Sequence, residues 1–284
     1  MMPAALVTAM VMPLDPAGVP DVAGWRALLQ KQRDAGVDGV LLDQECLDRM
    51  TAERSDLLGR TVAWAGTGMA VMVAPAGWPD PLQVEAWWKA GVRHLVLELS
   101  DSAQPAVALD RMTAGKAWDV FLRAAPTGNA LEALMAVSGH ERVKGLIEDS
   151  GEPVRLRALQ ALAGRPDLVL LSGHEGTACL SLLAGFDGMV SRTAALLPRT
   201  HRHLVAQAIA GHGAAAHAWD ARLAPYRAFL AGSDAPDRVR TLWQLSGMDA
   251  GVIRPDLVPS PTYAGQACRL AAGIADLEDF SGRT

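Results

Sequence analysis

The chain has 284 residues, half of them hydrophobic, with 27 glycines and a formal net charge of −5. That length carries a large core and suits one α/β barrel as well as two small domains. The mild acidity argues against a nucleic-acid surface, which needs clustered Lys and Arg, and no stretch approaches the ~20 apolar residues of a membrane span.

Short apolar runs alternate with amphipathic stretches along the chain. ALVTAMV (5–11) reads as a buried strand rather than a signal peptide, because no basic segment precedes it and Pro13 and Asp15 follow at once. Asp21 caps a helix running through Trp25, Leu28 and Leu29 that Gly36 closes. VDGVLL (37–42) is a second strand, and Thr51-Ala-Glu-Arg is expected to open the next helix. MAVMVA (69–74), VRHLVLEL (92–99), DVFLRAAP (119–126), VKGLIE (143–148), DLVLLSG (167–173) and FDGMVS (186–191) follow, each pair separated by a helical pattern. Near-continuous apolar strands joined by helical crossovers imply a parallel sheet covered by helices. Eight such units predict a (β/α)₈ TIM barrel over residues 1–210. The runner-up is a doubly wound open sheet, although no GxGxxG or GxxxxGK[ST] loop supports its nucleotide uses. The stretches near 196–210, 213–231, 235–247 and 260–279 are purely helical, so 211–284 reads as a C-terminal helical extension of the same domain.

Several fragments, taken in order, carry a resemblance. AMVMPLDPAGVPD (9–21), VKGLIEDSG (143–151), LLSGHEGTACLSLLAGFDGMVS (170–191), RLAPYRAFL (222–230) and GVIRPDLVP (251–259) resemble successive motifs of the dihydrodipicolinate synthase and N-acetylneuraminate lyase family, which are pyruvate-handling barrels. The resemblance implies a lyase fold that assembles as a dimer or tetramer and forms an imine between a strand-six lysine and a keto acid. Counting along the motif, that lysine position holds Ile147 here, which has no amine. Lys144 lies three residues earlier, and an odd offset on a strand turns it to the opposite face, toward the helices. Arg123 stands where the family has its proton-relaying tyrosine. LLDQECLD (41–48) stands where a Gly- and Thr-rich loop holds the substrate carboxylate, so Asp43 and Glu45 would face a ligand anion. The standard pyruvate imine reaction is therefore expected to be absent. Two functions remain: an enzyme with altered carbon–carbon lyase or other small-molecule chemistry, or an inactive barrel that binds a small molecule or serves as a partner subunit.

In a TIM barrel the working face is the C-terminal end of the strands. Asp43, Glu45, Glu98, Asp101, Arg123, Glu148, Asp149, His174, Glu175 and Arg192 are due there. His174 and Glu148 are the acid/base candidates, and Asp43, Glu45, Arg123, Ser191 and Arg192 the candidate ligand contacts. Arg123, near the end of an apolar strand, must pair with Glu98, Glu148 or Glu45 or bind a ligand carboxylate or phosphate. Asp149 and Glu175 read first as caps of the following helices. The acids are too dispersed to name a metal site, and no cofactor is expected. Ser172, Ser191 and Thr193 lack an evident His/Asp partner, and His201, His203, His212 and His217 read as surface residues. Cys46, Cys179 and Cys268 show no CxxC or metal spacing and read as reduced thiols of a cytoplasmic protein.

Overall fold

The computed structural model describes residues 5–52, 56–99, 105–124, 130–162, 165–232, 234–248 and 261–279. Asp101, Pro126 and the 251–259 motif lie outside these residues. Eight parallel strands close into a barrel in sequence order: β1 Ala5–Ala9, β2 Gly39–Asp43, β3 Ala70–Ala74, β4 His94–Leu99, β5 Asp119–Ala124, β6 Val143–Glu148, β7 Val169–Ser172 and β8 Gly188–Ser191. The seam pairs β1 with β8, Ala5 opposite Gly188 and Thr8 opposite Ser191. The closed barrel settles the choice against an open sheet.

The helices α1 Val22–Asp34, α2 Gln44–Ala52, α3 Leu57–Ala65, α4 Pro81–Lys89, α5 Pro105–Thr113, α6 Ala130–Val137, α7 Pro153–Gln160 and α8 Ala178–Leu183 alternate with the strands. A 3-10 turn, Thr193–Ala195, leads into α9 Pro198–Ile209, and α10 Gly213–Leu230, α11 Ala235–Leu245 and α12 Pro261–Glu278 complete the chain. Among the described residues no helix is long and apolar enough to cross a membrane.

Local chemistry explains the boundaries. Asp21 caps α1 by accepting the Ala23 and Gly24 N–H groups at 3.1 and 3.0 Å, and Gly36 ends the turn after it at a φ of 72°. The second helix does not open at Thr51. It starts at Gln44, directly off β2, because Asp43 at the strand end accepts the Cys46 N–H at 3.1 Å and caps it there. Thr51 falls instead in that helix's last turn.

The period-two alternation divides the apolar residues into two cores. Val7, Leu41, Met72, Val96, Phe121, Ile147, Leu171 and Val190 fill the barrel. Leu6, Leu42, Val73, Leu97, Leu122, Leu146 and Leu170 face outward to the helices. Two glycines make the barrel close tightly. A Cβ on Gly188 would press into the backbone of Ala5 across the seam, and one on Gly145 would press into the Phe121 ring. Trp25 is fully buried and donates from Nε1 to Thr61 Oγ1 at 2.8 Å, joining α1 to α3. Trp88 packs edge-on to Trp118 with ring centroids 5.2 Å apart.

Candidate active site at the barrel mouth

The strand ends surround a cavity of about 540 Å³ lined by Arg123, Asp149, His174, Glu175, Arg192 and Arg227, with Gly173, Gly176 and Gly232 on its rim. Side-chain alternation along β6 decides which residues reach it. Ile147 points into the barrel and is fully buried, and Asp149, two residues on, points the same way and lines the mouth. Between them Glu148 turns outward and is buried in the loop. Its carboxylate accepts the Ser150 and Gly151 N–H groups, each at 2.9 Å, and the Ser150 hydroxyl. Gly151, at a φ of 66°, completes that turn. Glu148 thus holds the β6–α7 loop and does not line the cavity.

Arg123 pairs with Asp149, not with Glu98, Glu148 or Glu45. Its Nε stands 2.6 Å from Asp149 Oδ2, and since the N–H does not point along a hydrogen-bond direction the contact is one of charge. Asp149 wins because it shares the inner side of the mouth with Arg123, whereas Glu148 is turned away and Glu98 is exposed. Burial raises the Asp149 carboxyl above its usual range. Arg123 opposes that shift, while Glu148 and Glu98 add to it. Gly173 leaves the room this arrangement needs, since a Cβ there would overlap Asp149 and lie 2.9 Å from Ile147 Cγ2.

Arg192 follows β8 and is half-buried. Among the described residues no carboxylate lies within ion-pair distance of it, whereas Arg227 of α10 is held by Asp220 at 2.7 Å. His174 is exposed, with Nδ1 3.1 Å from Thr177 Oγ1. Asp43 and Glu45 do not line the cavity. Besides its capping role for Asp43, the stretch anchors the C-terminal helices: Glu45 accepts from Arg49 at 3.1 Å and from buried Arg240 of α11 at 2.6 Å. Cys46 behind them is fully buried. Burial first, then Asp43 and Glu45, push its thiol well above the usual range.

Ser191 is buried beneath the mouth, and there the structure shows a group that the spacing of residues in sequence concealed. Its hydroxyl lies 2.7 Å from Glu175 Oε1 and 3.2 Å from Nε2 of His201. His201 is fully buried, not a surface residue. The α9 helix, which opens at Pro198, carries it back to the Ser191 hydroxyl at the end of β8. Glu175 also accepts the Thr193 N–H at 2.9 Å and the Thr193 hydroxyl. It therefore serves the β8 turn as well as the mouth, and it does not cap α8, where no side-chain cap bond forms.

Among the described residues no lysine lines the mouth cavity. Lys31 Nζ donates to the Leu196 carbonyl at 2.9 Å, and Lys89 and Lys116 pair with Glu85 at 3.5 and 2.7 Å. Lys144 lines a separate cavity of about 410 Å³ with Asp119, Phe121, Arg165 and Asp167 at the N-terminal end of the barrel. It does not line the mouth, and its place at the start of β6 puts it at the opposite end of the barrel. No three His, Cys, Asp or Glu side chains among the described residues converge as metal ligands would.

A closed parallel barrel with alternating helices and a charged C-terminal mouth is the architecture of a (β/α)₈ TIM barrel. The chain belongs to the dihydrodipicolinate synthetase family, whose model matches residues 129–270. It is 31% identical to the 4-hydroxy-tetrahydrodipicolinate synthase of Xanthomonas campestris pv. campestris, over 98% of this chain and 97% of that protein. It is 30% identical to the same enzyme of Stenotrophomonas maltophilia K279a, over 97% of this chain and 98% of that one. Among solved structures, a monomeric dihydrodipicolinate synthase variant superposes with a TM-score of 0.82 at 19% identity, covering 96% of this chain and 97% of that one. At that identity the likeness speaks for the fold alone.

Proposed function

We propose that the barrel mouth takes a small anionic molecule and acts on it without forming an imine, so that the chain has left the chemistry named for its synthase relatives. The carrying observation is the lining of the mouth, which holds three arginines, two carboxylates and a histidine and no lysine. Ile147, at the position where the family motif places its amine, supports the reading, since its side chain is fully buried against apolar neighbours. Arg192, with no carboxylate within ion-pair distance of it among the described residues, is the anion contact. Asp149, held above the usual carboxyl range by burial, is the acid/base group beside it, in preference to Glu148 and His174.

An open charged cavity favours this reading over an inactive barrel. In an inactive barrel Ile147 and Met12 would plug the mouth, and both are instead buried outside the residues that line it. Three unpaired cysteines suit a reducing cytoplasm, and assembly as a dimer or tetramer, expected from the resemblance, is read by sedimentation velocity.

The test is intact mass after incubation with pyruvate or a panel of 2-keto acids and borohydride. No adduct is expected. A stoichiometric adduct on any of the four lysines would restore imine chemistry and overturn the reading.

A further inference from the structure

The Ser191 hydroxyl is short of hydrogens. It has one proton and two neighbours that want it: Glu175 Oε1 at 2.7 Å and His201 Nε2 at 3.2 Å. The Ala194 N–H already donates to Ser191 Oγ at 3.0 Å. On the far side of the ring, His201 Nδ1 faces the Leu197 carbonyl at 2.8 Å and must carry a hydrogen to meet it. If Glu175 were ionised and His201 neutral, Nε2 would then be bare, and whichever neighbour Ser191 did not serve would meet an oxygen lone pair. Ser191 and His201 are almost wholly buried, so water does not repair the mismatch. One further proton satisfies every atom. With it on Nε2, the imidazolium donates to Ser191, Ser191 donates to Glu175, and Glu175 also receives the Thr193 N–H and hydroxyl.

We propose that Glu175, Ser191 and His201 share one dissociable proton and form a relay that opens on the barrel mouth, with Glu175 as the group that exchanges the proton with a bound molecule. In the resting form the proton lies on His201 Nε2. Delivery moves it to Ser191 Oγ while the serine's own hydrogen passes to Glu175 Oε1, leaving neutral imidazole and a carboxylic acid, with no net change in charge. Loss of that acid proton to a ligand leaves the triad short of one proton, which return along the same path restores. The order of groups, serine between acid and histidine, differs from a hydrolase triad, where the histidine is central. Ser191 here carries protons and is no nucleophile.

The surroundings fit both forms. Burial is the largest influence on Glu175 and raises its pKa, but His201, Thr193 and Ser191 outweigh it and hold the carboxyl below the usual range. Burial lowers His201 and outweighs Glu175, which raises it; the three hydrogen bonds that Glu175 accepts, from Ser191 and from the Thr193 N–H and hydroxyl, favour its ionised form and set the shared proton on the imidazole. The other charges facing His201 are Glu278 of α12, which raises it and is itself occupied by the Arg199 and Thr200 N–H groups, and Arg227 of α10, which lowers it. On the mouth side Glu175 shares the cavity with Arg123, Asp149, His174, Arg192 and Arg227.

The role of Glu175 toward a ligand rests on the proposed function, but the proton count does not, and it is tested on the ligand-free full chain. In ¹⁵N-histidine NMR near neutral pH, with His201 assigned through His201→Gln, both ring nitrogens of His201 are expected to be protonated. Glu175→Gln should convert the ring to the neutral form with hydrogen on Nδ1 alone, since the amide N–H then supplies the missing donor to Ser191. Ser191→Ala should slow solvent exchange of the Nε2 hydrogen by roughly 100-fold, the scale of a positioned proton carrier. A wild-type ring bare at Nε2 beside an ionised Glu175 carboxylate, read from its ¹³C shift, overturns the shared proton, and a bare ring beside a protonated Glu175 overturns its resting place on His201. Unchanged exchange in a folded Ser191→Ala protein overturns the relay.

Discussion

Arg240 Nη2 stands 2.6 Å from Glu45 Oε1 and ties α11 to α2 across the top of the barrel. The guanidinium is almost fully buried, and its other donors reach Asp237 Oδ1 and the Met12 carbonyl, each at 2.8 Å. Removing one partner of a buried pair leaves the other's charge desolvated and under-paired. Glu45→Ala is therefore expected to lower stability by about 1–3 kcal/mol, read as a urea midpoint shift at constant slope. A change within roughly ±0.5 kcal/mol, the range of ordinary surface substitutions, would show that the pair does not hold the helices.

Two glycine substitutions separate a yielding contact from an unyielding one. Gly145→Ala presses a methyl into the Phe121 ring, and Gly188→Ala presses one into the Ala5 backbone. The first should destabilise by about 1–3 kcal/mol, typical of overpacking, and be partly rescued by Phe121→Leu. The second should cost more and gain nothing from that rescue. Thermal unfolding of the two single variants and the two doubles decides, and equal losses would contradict the close seam.

Installing an amine tests the position of Ile147. Ile147→Lys puts a cation among apolar side chains, so the variant should melt lower. It should also gain a borohydride-trapped pyruvate adduct that the wild type lacks. A folded variant that forms none would detach residue 147 from the site.

Anion binding should depend on Arg192. Where a 2-keto or dicarboxylic acid raises the melting temperature of the wild type, Arg192→Ala is expected to weaken its binding by on the order of 10- to 100-fold, the worth of a charge-assisted hydrogen bond. Glu98→Gln, at an exposed position outside the cavity lining, should leave affinity within experimental scatter.

The lowered Glu175 carboxyl makes a pH prediction of definite sign. A carboxyl depressed by folding adds stability that is present above its unfolded value of 4.5 and is lost as pH falls through the folded value. Wild type should thus exceed Glu175→Gln by about 1–3 kcal/mol at neutral pH, and the gap should close as pH drops below that unfolded value. A gap independent of pH would mean that folding does not shift the Glu175 carboxyl, and one that narrows as pH rises would mean that it is protonated in the native state.

Much of the barrel was legible because its signals are local. The eight apolar runs and the four C-terminal helical stretches lie within a few residues of where the elements form, and the Asp21 cap and Gly36 turn behave as their residue types predict. The mouth was legible only in outline. Asp149, Arg123 and Arg192 do converge there, but which acid meets Arg123 depends on the alternation at the last residues of β6, where strand gives way to turn. Glu45 looked like a ligand contact because its partner Arg240 lies on a helix nearly 200 residues later. His201 looked like a surface residue for the same reason, since only the packing of α9 under β8 brings it to Ser191. Long-range pairing of single polar residues leaves no periodic trace in a sequence.

The seam between β1 and β8 also has a consequence in time. Ala5 is paired on one side by Gly188, so during synthesis the first strand waits with an open edge until nearly the whole barrel has emerged from the ribosome. Contacts of such sequence separation form slowly, and an unpaired apolar edge invites association with other chains meanwhile. Gly188 lets the last strand settle against the first without repacking, and so closes that edge.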